Sequence, residues 1–214
     1  EGLREELGIN PGDLVVGMVS CFKPQKSPQD FIRLAFLIKR SVSQGNLIKN
    51  ILVAREENVN HGSIKFILIG DGVLRKTIEA MIVKLDLKEQ VILTGWREDI
   101  PRILSTIDAF VLTSLWEGLP ISVLEAMAAS LPVLVSDTGG VKEVVAEGKT
   151  GFLVAPGDTR MTAEKLTRLL KDKRLREQIG KDAQDSLGPD FSLGNMAINT
   201  ENSYRDLIKR QYAD

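Results

Sequence analysis

Short apolar, β-branched runs recur along this chain with amphipathic helical stretches between them, and that alternation leaves few architectures open. Residues 14–19, 64–69, 90–93, 109–113, 132–136 and 152–154 read as strands. Residues 28 to about 40 have helical spacing, with Phe31, Leu34, Ala35 and Ile38 on one face. Helices are also expected over 73–87, with Leu74, Ile78, Met81, Ile82 and Leu85 inward, and over 100–106, 120–130 and 141–147. From Thr162 onward the pattern is helical, interrupted at Gly188-Pro189. The strand segments are apolar throughout, as in parallel strands covered on both faces. The alternation predicts an α/β fold with a doubly wound parallel sheet of about six strands. Such sheets bind ligands outside the carboxyl ends of the strands, near the point where strand order reverses. The loops to watch are therefore 20–27, 70–72, 95–99, 114–120 and 137–141.

A length of 214 residues fits one domain with a helical tail. The expected divisions are a polar linker or boundary segment over 1–13, a main domain over 14–187 and a helical end over 188–214. The chain opens on Glu1 rather than methionine, which reads as a fragment of a longer protein. A net charge of −1 implies no broad attraction to nucleic acid or anionic membrane, so any phosphate must be held by local charge and backbone donors. One cysteine, Cys21, permits no internal disulfide. No signal-peptide pattern and no apolar run of membrane-spanning length appears, and the expected location is cytoplasmic. Residues 41–63 break the rhythm and read as an insertion at the sheet edge. Its flanking and internal bases (Lys39, Arg40, Lys49, Arg55) lie among Leu47, Ile48, Ile51 and Leu52. They read either as a solvated face or as a peripheral contact with a membrane or acceptor. His61, in the same stretch, reads as a surface histidine.

Glu117-Gly-Leu-Pro-Ile-Ser-Val-Leu-Glu125 carries the chemistry. It follows a buried strand and opens a helix, so Glu117 falls in a loop at the ligand edge. Pro120 suits a first helical position. The N–H groups of Ile121 and Ser122 then have no intrahelical acceptor and, with the helix dipole, favour an anion. Gly118 allows close backbone approach, and Leu119 lies between it and the proline. Glu125, about one turn into the helix, is placed to accept hydrogen bonds from a ribose diol. In the first loop, Lys26 and its rival Lys23 each read either as a surface lysine or as a point charge that would neutralise a diphosphate. Gly70-Asp-Gly72 and Gly139-Gly140 read as strand-to-helix turns or as phosphate cradles. No G-x-G-x-x-G is present. Trp96 and Arg97 follow Gly95 and offer either an edge for a nucleobase or plain packing. No metal-ligand spacing and no hydrolase-type nucleophile–base pair is found.

Together these residues resemble the C-terminal, donor-binding domain of the retaining glycosyltransferase family four (group 1), one Rossmann-like half of a GT-B enzyme. The phrases that carry the resemblance are Phe66-Ile-Leu-Ile-Gly-Asp-Gly72, Leu93-Thr-Gly-Trp96, Glu117 through Ala128, Pro132 through Gly140, and Thr150-Gly-Phe-Leu-Val154. By resemblance, Glu117 contacts the donor sugar and serves transfer, Glu125 holds the ribose, and the Ile121 and Ser122 amides with Lys26 hold the diphosphate. Trp96 and Arg97 frame the base. The resemblance also implies a UDP- or GDP-linked sugar donor, no metal or other cofactor, a closing helix at the C-terminus, and an N-terminal acceptor-binding domain as partner. Without that half, little turnover is expected. One departure stands out: where the family usually has an arginine, five residues before Lys26, this chain has Cys21.

The other readings are a non-catalytic nucleotide- or partner-binding domain of the same fold, favoured by Cys21, a sugar-nucleotide epimerase, which the intact Glu117/Glu125 element argues against, and a dinucleotide oxidoreductase, which lacks its fingerprint.

Overall fold

The structure is a computed structural model that describes residues 2–43 and 63–211, apart from the side chain of Asp190. His61, Lys49, Arg55 and most of the expected insertion lie outside the described residues. Six parallel strands form one sheet: β1 (Leu14–Val19), β2 (Ile64–Ile69), β3 (Val91–Gly95), β4 (Ala109–Leu112), β5 (Val133–Ser136) and β6 (Gly151–Val154). Their order is β3-β2-β1-β4-β5-β6. The order reverses between β1 and β4, so the loops that leave those two strands diverge around one crevice. Every residue of β4 and β5 is buried, in keeping with strands covered on both faces.

Helices α1 (Gly2–Glu6), α2 (Pro28–Ser43), α3 (Arg75–Lys84), α4 (Ile100–Leu104), α5 (Ile121–Ala128) and α6 (Val141–Val144) alternate with the strands. Helices α7 (Thr159–Lys171), α8 (Lys173–Ser186) and α9 (Leu193–Gln211) follow the last strand. The face expected on α2 is buried, with Ile32 added to it. On α3 only Ile78 and Ile82 are fully buried. Leu74, Met81 and Leu85 are partly covered because the helix lies near the sheet edge. The C-terminal helical pattern also breaks between Lys171 and Lys173, where Asp172 accepts a bond from the Leu175 N–H and caps α8. Buried Arg176 donates to the carbonyls of Leu169 and Leu170, meeting acceptors that the end of α7 leaves open.

Residues 2–13, expected as a linker or boundary segment, pack onto the domain: Leu3 and Ile9 are buried in the core, and Arg4 donates to the carbonyls of Thr106 and Asp13. One expectation is corrected. Pro120 is the cap of α5 rather than its first residue. Its extended backbone (φ −74°, ψ 115°) turns the chain, and the helix begins at Ile121. Helix α9 buries none of its side chains among the described residues. No described helix is long and apolar enough to cross a membrane.

Candidate functional site at the strand ends

The loops after β1 and β4 are stitched together at the crevice. After β1 the chain makes a one-turn 3-10 helix at Pro24–Lys26 and then a left-handed residue, Ser27 (φ 41°). The Thr113 hydroxyl donates to the carbonyl of Ser27 at 2.9 Å, and the Leu115 N–H donates to that of Gln25 at 2.7 Å. The Gln25 amide reaches the Trp116 carbonyl at 3.1 Å. These bonds bring Lys26 onto Glu117: the Nζ–Oε1 distance is 2.5 Å. The Ser114 hydroxyl donates to the same oxygen, also at 2.5 Å. The Glu117 side chain is 6% exposed and that of Lys26 21%, so the pair sits at the base of the crevice rather than on an open surface.

The β5 loop supports this arrangement from behind. The Gly140 N–H donates to the Gly118 carbonyl at 2.7 Å. Gly139 has φ +53°, and a Cβ there would lie 1.8 Å from the Glu117 carbonyl oxygen. Only glycine permits that approach. The pair Gly139-Gly140 thus braces the Glu117 loop. Gly72 does comparable work on the other side, where a Cβ would lie 2.8 Å from the carbonyl oxygen of Phe22 in the first loop.

At α5, Val123 N–H donates back to the Pro120 carbonyl, whereas the amides of Ile121 and Ser122 find no backbone acceptor among the described residues. Two donors and the positive end of the helix dipole thus stand four and five positions past Glu117 in the same loop-to-helix turn. Gly118, Leu119 and Ile121 are exposed around this tip, and Pro120 is buried beneath it. Glu125 lies one turn further along, on the face of Ile121. It is exposed as a residue, yet it lines a 470 Å³ groove with Ile100, Pro101, Leu104, Ser105, Ala128 and Ala129. Partial burial against those walls raises its carboxyl pKa above the ordinary glutamate value.

The remaining sequence candidates separate. Trp96 is 69% exposed at the end of β3, not packed into the core. Arg97 beside it is committed elsewhere: it pairs with Asp99 at 2.7 Å and with Glu6 of α1 at 2.8 Å. The hydrogen bonds that Arg97 donates to those two carboxylates, Asp99 first, raise its already high pKa. Lys23 is exposed in the first loop and makes no side-chain bond to Glu117 among the described residues, and Cys21 is a half-buried free thiol. Ser114 and Gln25 were not singled out for this site by their sequence context, and Gly139-Gly140 was read as a turn or phosphate cradle rather than as a brace for Glu117. The available signal for Ser114 was its place between a buried strand and Glu117, which alone specifies no contact.

A sheet of this order, with an acid-bracketed helix tip at its reversal point, defines a Rossmann-like α/β domain of the GT-B kind. The family of Glycosyl transferases group 1 matches residues 1–186, and the chain belongs to it. The UDP-Gal:alpha-D-GlcNAc-diphosphoundecaprenol alpha-1,3-galactosyltransferase of Escherichia coli is 31% identical over 208 residues, covering 96% of this chain and 49% of that protein. Anabaena Alr3699/HepE, solved in complex with UDP-glucose, superposes with a TM-score of 0.76 at 26% identity, covering 94% of this chain and 51% of the other. The C-terminal domain of a group 1 glycosyl transferase (LpcC) from Francisella tularensis has the same fold, with a TM-score of 0.69 at 22% identity over 84% of this chain and 87% of that one. The chain spans about half the length of the curated relatives it matches.

Proposed function

We propose that this chain is the donor-binding domain of a retaining, metal-independent glycosyltransferase that moves a sugar from a nucleoside diphosphate to an acceptor held by a separate N-terminal domain. The observation that carries the reading is the Lys26–Glu117 pair beside the open Ile121 and Ser122 amides. One cation and two aligned N–H donors suit a diphosphate. The adjacent carboxylate suits sugar hydroxyls, and Glu125 suits a ribose diol. As the bond from the sugar to the diphosphate breaks, charge grows on the leaving group, and Lys26 with the helix tip offsets it without reorganising. UDP is the favoured donor nucleotide, ahead of GDP, because the Anabaena neighbour is complexed with UDP-glucose. A cytoplasmic location accords with such a donor. Turnover is expected to need the second domain, since the chain spans about half the length of the curated relatives it matches.

Calorimetric titration of the chain with UDP, GDP and ADP tests the reading. Saturable binding of UDP or GDP, abolished by Glu125→Ala, is the expected result. Silence from all three nucleotides refutes it. That outcome would favour a non-catalytic partner-binding domain, the reading supported by Cys21 in place of a phosphate-binding arginine.

A further inference from the structure

Both hydrogen bonds that the Glu117 carboxylate accepts fall on one oxygen. Lys26 and Ser114 donate to Oε1, while Oε2 accepts none from the described residues. The two donors differ in freedom. Lys26 ends a flexible four-carbon stem whose ammonium has three donors to share. Ser114 is 0% exposed, two residues past the end of β4, with Thr113 and Leu115 on either side bonded to the first loop. Its hydroxyl therefore starts from a fixed backbone and has little room to turn away.

We infer that Ser114 is a positioning residue, which pins Oε1 of Glu117 so that Oε2 faces the donor sugar. The inference rests on the proposed role of Glu117 as the sugar contact. A bound diphosphate competes with Glu117 for the ammonium of Lys26, and Ser114 is then the anchor that stays. The terminal torsion of a glutamate is broad when nothing fixes it. Losing the anchor therefore weakens the sugar-dependent part of binding and spares the nucleotide part.

The test is titration of the chain with UDP and with UDP-glucose, UDP-galactose and UDP-N-acetylglucosamine, reading the ratio of UDP-sugar to UDP affinity. The wild type is expected to prefer at least one of the sugars over bare UDP. Ser114→Ala is expected to bind UDP within about twofold of wild type and to lose about tenfold in that ratio, the worth of one hydrogen bond to a charged group. Ser114→Cys keeps the unbranched shape, slightly enlarged, with a much weaker donor and should follow alanine. If the alanine variant does not fold, the cysteine variant carries the same comparison. An unchanged ratio, or an equal loss of UDP and UDP-sugar affinity, overturns the inference and leaves Ser114 a packing residue. A wild-type chain that ignores UDP altogether fails earlier, at the proposed function itself.

Discussion

Lys26 and Glu117 are 91 positions apart and meet at 2.5 Å, Nζ to Oε1, where the strand order of the sheet reverses. Charge and counter-charge are thus assembled by topology at the place where an open sheet binds its ligand. The pair is mostly buried, so each partner depends on the other more than an exposed pair would.

Replacing Lys26 with methionine should therefore have two measurable effects. UDP affinity should fall tenfold or more in calorimetry, since the diphosphate loses its cation. Urea denaturation should show a loss of about 1–3 kcal/mol, because Glu117, with 6% of its side chain exposed, keeps only the Ser114 donor. Unchanged stability with unchanged binding would mean that the contact is incidental.

Glu125 should show a trade between stability and binding. Burial raises its pKa in the fold, so the folded protein prefers the carboxyl neutral. Ionisation above the folded pKa therefore costs stability, and protonation restores it as pH falls through that value. Glu125→Gln should raise the melting temperature at pH 7 slightly, within about 2 °C because the site is partly solvated, and the gain should shrink toward pH 4. The same variant should lose most of its UDP-induced thermal shift. A variant less stable than wild type at pH 7 would contradict the argument.

Gly139→Ala places a Cβ 1.8 Å from the Glu117 carbonyl oxygen at a residue with φ +53°. Backbone on both sides of this contact leaves no side chain to yield, and about 2–4 kcal/mol of destabilisation is expected by denaturant titration. Alanine at Gly157 is a useful contrast, because its added Cβ meets nothing within 4 Å although φ is also positive, at +80°. It should cost about 1 kcal/mol. Equal losses at the two sites would show that the Glu117 loop is not braced from behind.

Both tryptophans of the chain are exposed, Trp96 after β3 and Trp116 beside Glu117. If the base lies along the β3 loop, UDP should quench or shift the fluorescence of Trp96. Trp96→Phe should then abolish the response and Trp116→Phe should retain it. The opposite pattern would move the base to the β4 loop.

Much of the fold was readable before any coordinates. The six strands fall within one or two residues of their expected bounds, because apolar runs of that length are a local property. The element from Glu117 to Glu125 was legible for the same reason: strand, loop, turn residue and helix are contiguous. The small misses are also local. Pro120 caps α5 instead of starting it, because an extended ψ at the proline turns the chain before the helix. The opening segment, read as a linker or boundary, packs Leu3 and Ile9 into the core, and two apolar residues in a polar stretch are too weak a pattern to declare that burial.

The amino-acid order alone determined an α/β chain with a parallel sheet, and it marked the loop that carries two carboxylates around a helix tip. Which cation meets Glu117, and that Ser114 shares it, were decided only in three dimensions. So was the capture of Arg97, the expected partner of a base, by Glu6 and Asp99. The physical reason is range. Periodicity reports what neighbouring residues do together, whereas a contact across 91 positions depends on which strands lie side by side and on loops held within hydrogen-bond reach of one another.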